Sequence, residues 1–356
     1  MGIGLNLSRR FFETIVQPIV ASAMPELRYA AARLGDGSEV LGFDTEMSAD
    51  HNYGPTVQLF LSQSDFDSCA PELLQALDRA LPAKIDGWPI RFPNAIRPSA
   101  ATPGALCADH GVELHALDAW AAAQLGIGSE APMTSMDWFA LPEQRLLTVT
   151  AGAVYRDDDG RLSALRHRLE WFPEDVWLAK LVAQWARIGE QQAFVGRAGE
   201  AGDDLGSRLI AARLAHDVMR LCFLIEKRYA PYAKWFGTAF ARLDSAGSIG
   251  ALLTSALAAP DWRERQKHLT DAYLEVGRLQ CERAIPGAIA PELGPFHDRP
   301  FVVINAGQLA QGLIDTIKDR AVRHLALAGA IDQFCDSTPL LTAPQKARRI
   351  VHATLD

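Results

Sequence analysis

Residues 35–55, GDGSEVLGFDTEMSADHNYGP, place a Gly-Ser pair about a dozen residues ahead of an acidic cluster. A tight turn of this kind at a helix N-terminus offers backbone N–H groups and a hydroxyl to phosphate oxygens, while acids on the next strand can hold a divalent cation against the same phosphates. Gly37 and Ser38 are therefore the candidate cradle for a triphosphate. Alternate residues of a strand point to one face, so Asp50 and Asn52 are the candidate metal pair, able to serve two ions that stabilise the attacking and leaving oxygens. Asn52 brings an amide oxygen and no charge, which weakens a Mg²⁺ site relative to two carboxylates. Asp44 and Glu46 lie in the same acidic stretch and are possible substitutes. The plain alternative is an ordinary surface turn between a helix and a strand.

The chain ahead of this stretch places Phe11, Phe12, Ile15, Val16, Ile19 and Val20 at helical spacing over 7–23, with Pro18 as a kink or late break. Residues 26–34 lead into the turn as a short strand or helix, and Thr56–Leu61 reads as a buried strand behind it. A helix follows over 69–81, then a proline-rich stretch, 82–103, with one short strand at Trp88–Phe92. Gly111–Leu117 alternates as a strand, with Val112, Leu114 and Ala116 on one face and Glu113 and His115 on the other. Short helices at 117–126 and 136–147 precede Asp157-Asp158-Asp159-Gly160, which reads as a solvated hairpin tip rather than a metal site. From about Pro173 the pattern turns helical, at 174–195, 202–229, 233–244, 263–285 and 306–330. Leu205 and Leu209 head the apolar stripe of the longest of these. The domain boundary is placed at 165/166.

With 356 residues and 49% hydrophobic content, the chain has material for two cores. A net charge of −8 argues against non-specific nucleic-acid binding, which depends on a basic field. Five scattered cysteines suggest neither a disulfide framework nor a zinc ribbon, and no apolar run approaches a membrane span. These features predict a cytoplasmic protein acting on a small molecule, with no nucleic-acid or membrane partner.

Together with WFPEDVWLAKLVAQW (171–185), AFVGRAGEAGDDLGSRLIAARLAHDVMRLCFLIEKRYAPYAKWFGTAF (193–240) and GAIDQFCDSTPLL (329–341), the run from Gly37 to Leu61 resembles the bacterial domain-of-unknown-function family numbered four thousand and thirty-seven. The family pattern Asp-His-Asp-Trp-Gly-Pro stands here as Asp50-His51-Asn52-Tyr53-Gly54-Pro55. The resemblance implies an α+β fold: a polymerase-β-like nucleotidyltransferase domain with a mixed sheet over 1–165, then an all-helical bundle over 166–356. It implies no substrate. Related nucleotidyltransferases often supply a third carboxylate from a strand such as 111–117, as general base or extra ligand, which makes Glu113 the candidate here, the alternative being a solvent-facing strand residue.

In the helical half, Phe194–Gly199 reads as a glycine-rich connection. Arg197 in it is a candidate phosphate clamp, or else a partner in a structural salt bridge. The segment Glu226–Phe236 combines tyrosines, a lysine and a tryptophan about Pro231. Tyr232 is a candidate to stack a base and Lys234 to meet triphosphate charge, unless the aromatics pack between helices and Lys234 is a surface ion. The resulting expectation is Mg²⁺-dependent transfer of a nucleoside monophosphate from a triphosphate, ATP foremost, to a small acceptor. The rival expectations are a repurposed, non-catalytic nucleotide- or metabolite-binding member, or a different biosynthetic reaction in an interdomain cleft.

Overall fold

The computed structural model describes residues 3–45, 54–92 and 104–353. The candidate positions Asp50 and Asn52, with Glu46 and His51, lie outside the described residues. The chain divides into two compact units, one of residues 1–133, 144–170 and 342–345, the other of 134–143, 171–341 and 346–356. Each is described separately.

The first unit is built on strands β1 (Ala30–Arg33), β2 (Val57–Leu61), β5 (Leu106–Cys107), β6 (Val112–Ala116) and β7 (Ala153–Asp157), with a small ladder of β3 (Lys84–Ile85) and β4 (Trp88–Pro89) beside them. The sheet order is β5-β6-β2-β1-β7, with β2 and β6 parallel and the other pairs antiparallel, so the sheet is mixed. A parallel pair needs a long crossover, and helix α3 (Gln63–Ala80) lies within it. The helix starts where the Ser62 side chain accepts a hydrogen bond from the Asp65 N–H at 3.1 Å, satisfying one of the donors left unpaired in a first turn.

Strand alternation sorts the sheet into two faces. Val57, Leu59, Leu61, Val112 and Leu114 are buried in one core with Phe11, Phe12, Val16, Leu73 and Leu77. Gln58, Phe60, Glu113 and His115 fall on the other face. The opening helix runs as α1 (Ile3–Phe11), a π-turn over Phe12–Val16 and α2 (Gln17–Ala23). Pro18 thus sits in the first turn of α2, where its missing N–H costs little, and the wide turn before it relieves the ring's clash with the preceding carbonyl. Helices α4 (Leu117–Leu125), α6 (Glu143–Thr150) and α7 (Arg161–Arg168) complete this part of the chain.

The second unit holds α5 (Ser135–Ala140), α8 (Glu174–Gln191), α9 (Phe194–Glu200), α10 (Asp204–Ile225), α11 (Ala233–Phe240), α12 (Ala246–Ala258), α13 (Trp262–Glu282), α14 (Ala306–Ile314), α15 (Arg320–Leu325), α16 (Ile331–Phe334), α17 (Thr338–Leu341) and most of α18 (Pro344–Ala353). Trp177, Leu181, Val182, Trp185 and Ile188 of α8 and Leu214, Val218, Leu221 and Cys222 of α10 are buried, the pattern expected of stripes packed in a bundle.

Three expectations are corrected here. The unit is not all helical, because β8 (Leu293–Phe296) and β9 (Arg299–Ile304) form a hairpin; its turn is tight enough that His297 takes a φ of 57°, and Phe301 and Ile304 bury one edge of it. Leu205 and Leu209 do not join the buried stripe but remain 69% and 59% exposed. Residues 194–199 are helix rather than connection: a Cβ on Gly196 would collide with the Phe301 ring and one on Gly199 with Trp262. Those glycines serve close packing, with no ligand required to explain them. Among the described residues, no helix is long and apolar enough to cross a membrane.

Candidate active site

The polar face of the first unit's sheet is narrow and charged. In the parallel register Gln58 of β2 lies beside Glu113 of β6, and Phe60 beside His115. His115 is two residues from Glu113 on the same strand face, and its Nε2 is 3.1 Å from Glu113 Oε2. The His115 ring is buried and stacks on Phe60 with centroids 5.5 Å apart, which fixes the imidazole against the carboxylate. Gln58 is held in turn by accepting the Leu34 N–H at 2.9 Å.

Glu113 keeps 17% of its side chain exposed, so it is sheltered yet reachable. Burial pushes its carboxyl upward, but the bond and charge from His115, the Arg33 guanidinium and a bond from Gln58 outweigh it and hold the group below the usual carboxylate range. Glu113 is therefore an anion at neutral pH. Arg33, the last residue of β1, donates from Nε to Glu39 Oε1 at 3.0 Å and from Nη1 to the Leu34 carbonyl at 3.3 Å. Burial alone would lower its pKa, but Glu39 and, more weakly, Glu113 raise it.

Gly37 and Ser38 open a single turn rather than a helix. The N–H groups of Val40 and Leu41 donate to the Gly37 carbonyl at 3.0 and 3.2 Å, and that of Phe43 to the Ser38 carbonyl at 2.8 Å. The expected helix N-terminus is thus corrected to a turn, since the chain reaches Gly42 at φ 71° and leaves helical geometry there. The Glu39 side chain folds back over Gly37 so closely that a Cβ there would strike its carboxylate. Asp44, considered as a substitute metal ligand, accepts the Gly4 N–H at 3.0 Å and so is engaged at the start of α1.

In the second unit, Tyr232 is half-buried as the residue before α11, and Lys234 is exposed with its Nζ 4.8 Å from the centre of the Trp235 ring. Tyr229 is buried, stacked 4.8 Å from Trp171 and edge-on to Phe172, as the packing alternative expects. Arg197 is exposed on α9 with its guanidinium 5.2 Å from the Phe194 ring. The expected hairpin tip is corrected to the turn between β7 and α7, where Asp158 bonds the Tyr29 N–H and Arg156, and Asp159 pairs with Arg28. No group of three or more His, Cys, Asp or Glu side chains able to hold a metal occurs among the described residues.

Sequence reasoning missed Arg33, Glu39 and Gln58. Gln58 did leave a signal, being the single polar residue within Val57–Leu61. It also missed a buried ion quartet in the second unit. There Lys180 Nζ lies 3.2 Å from Glu143 Oε1 and 3.0 Å from Asp332 Oδ1, with Arg220 Nη1 3.7 Å from each carboxylate. Its signal was a lysine in the otherwise apolar run Trp177–Val182.

Residues 138–236 match the family model described as domain of unknown function DUF4037, which bears out the family resemblance over that stretch. A nucleotidyltransferase-like protein from Exiguobacterium sibiricum is similar at 14% identity, covering 77% of this chain and 75% of its own, with a TM-score of 0.34. Likeness at that level bears on neither the fold nor the chemistry. No curated protein matches.

Proposed function

We propose that this chain, carrying the DUF4037 match at 138–236, is a nucleotidyltransferase-like protein that binds a nucleoside triphosphate, ATP foremost, with Mg²⁺. An acceptor hydroxyl, amine or phosphate attacks the α-phosphorus, a new bond to phosphorus forms, the α–β bridging bond breaks and pyrophosphate leaves. The observation supporting this is the sheltered Glu113 carboxylate, 3.1 Å from His115 Nε2 and set beside Gln58 of β2, the strand that follows the Asp50–Asn52 segment in sequence.

Asp50 would hold Mg²⁺ with Asn52 assisting, and Glu113 would add a hard oxygen donor or take the acceptor proton. Among the described residues no group of three or more metal-ligating side chains occurs, and the proposed metal site rests on Asp50 and Asn52. Gly37 and Ser38 meet the phosphates, and Arg197, Tyr232 and Lys234 are each proposed as nucleotide contacts. Transfer of this type is mostly positioning plus electrostatics.

Calorimetric titration of ATP with Mg²⁺ into wild type, Asp50→Ala and Asn52→Asp tests the reading. Asp50→Ala loses Mg²⁺-dependent binding while keeping its fold, and Asn52→Asp tightens Mg²⁺. Unchanged binding in folded Asp50→Ala rejects it. The uncharged Asn52 favours one second reading, a repurposed member that binds nucleotide or metabolite without transfer. That reading predicts binding without pyrophosphate release across a panel of small acceptors.

A further inference from the structure

Arg33 and Glu39 form a buried pair beside the Gly-Ser turn, and neither belongs to the hydrophobic core. Arg33 is fixed: it ends β1, and its Nη1 donates to the Leu34 carbonyl. Glu39 sits instead in the short turn that follows Gly37, outside the sheet. Both are only 8% exposed. The carboxylate lies against the Gly37 backbone in a space open only because residue 37 has no Cβ. A guanidinium binds carboxylate and phosphate oxygens through the same fork of N–H donors. A phosphate taking the carboxylate's place keeps the buried guanidinium paired, so the exchange avoids the cost of stranding a buried charge.

From this geometry we infer that Arg33, with the Gly37-Ser38 turn, is an oxyanion site for a polyphosphate group, and that Glu39 occupies it as an internal competitor. The proposal rests on the nucleotide reading above for the identity of its natural ligand, but not for the exchange itself. A phosphate group entering the site displaces the Glu39 carboxylate from Arg33 and takes its hydrogen bonds. Glu39 then also excludes weak anions, because only a ligand with several negative oxygens outcompetes a tethered carboxylate.

The test is calorimetric titration of metal-free tripolyphosphate, and separately of ATP with Mg²⁺, into wild type, Glu39→Gln, Glu39→Asp and Arg33→Lys, each checked for fold by circular dichroism. Glu39→Gln removes the competing charge and is expected to bind tripolyphosphate about tenfold tighter, the scale of one charge-assisted contact. Arg33→Lys loses the fork and binds more weakly than wild type. Glu39→Asp keeps the charge on a shorter arm and falls between wild type and Glu39→Gln; it carries the test if the Gln variant does not fold. Tripolyphosphate affinity in folded Glu39→Gln or Glu39→Asp no higher than in wild type overturns the inference. Tight tripolyphosphate binding by the Glu39 variants with no ATP binding by any protein leaves the exchange standing and removes the nucleotide reading.

Discussion

Replacing Lys180 by Met tests how the second unit tolerates buried charge. Lys180 is fully buried in α8, between Glu143 and Asp332 at 3.2 and 3.0 Å, with the Phe172 ring centre 4.8 Å from its Nζ. Both carboxylates are also deeply buried, and each has a backbone bond: Glu143 accepts the Ala230 N–H at 2.8 Å and Asp332 the Glu143 N–H at 3.0 Å. Met keeps most of the aliphatic volume, so the loss is mainly electrostatic. It leaves two buried anions facing the single charge of Arg220, 3.7 Å away. Removing one partner of a buried ion pair costs about 3–5 kcal/mol, and the remaining Arg220 places the expected loss near about 3 kcal/mol.

The pH dependence gives a second, independent readout. Burial raises the Asp332 pKa, but Lys180, Arg220 and the Glu143 N–H outweigh it and hold the carboxyl low. A depressed carboxyl stabilises the fold above its unfolded pKa and loses that contribution as pH falls toward its folded value. Without Lys180 the stranded carboxyl rises instead, and protonation relieves it. The Lys180→Met penalty, measured by urea unfolding at pH 7 and pH 4.5, is therefore expected to shrink in acid. A penalty under about 1 kcal/mol, or one equal at both pH values, refutes this view of the quartet.

Three further outcomes follow. Ser207→Ala removes the 2.6 Å acceptor of the fully buried Arg265 and should cost about 1–3 kcal/mol in denaturant unfolding, whereas Asp204→Asn, which alters an exposed partner of the same guanidinium, should cost much less. Trp185→Phe strands the buried Gln280 side chain, which now accepts the indole N–H at 2.9 Å, and should lower stability by about 1–3 kcal/mol. Lys234→Met should leave the melting temperature unchanged, since the lysine is exposed, and should weaken ATP binding by roughly 1–3 kcal/mol if the proposed contact is made; a lowered melting temperature would place Lys234 in the scaffold.

Periodicity made the elements of this chain legible where apolar and polar residues alternated. The alternation of Val112–Ala116 gave both the strand and the shared face of Glu113 and His115, which the structure brings to 3.1 Å. Periodicity failed where packing depended on a distant partner. Gly196 and Gly199 look like loop residues until Phe301 and Trp262 are seen against them. Leu205 and Leu209 have the spacing of a core stripe, yet the first turns of α10 leave them in solvent. The charged pairs were least legible. Arg33 and Glu39 are six residues apart across a turn, and Glu143 and Asp332 are brought to Lys180 from far along the chain, so local spacing carries no sign of either contact.

The central claim, that Glu113 is a working anion of a Mg²⁺–nucleotide site, is tested most directly by titrating ATP with and without Mg²⁺ into wild type and Glu113→Gln. Because Glu113 is held below the usual carboxylate range, the comparison is made at about pH 7.5, well above any carboxyl titration. The predicted result is a loss of about tenfold or more in Mg²⁺-dependent affinity, with metal-free tripolyphosphate binding unchanged. Equal Mg²⁺-dependent affinity in a folded Glu113→Gln protein would contradict it.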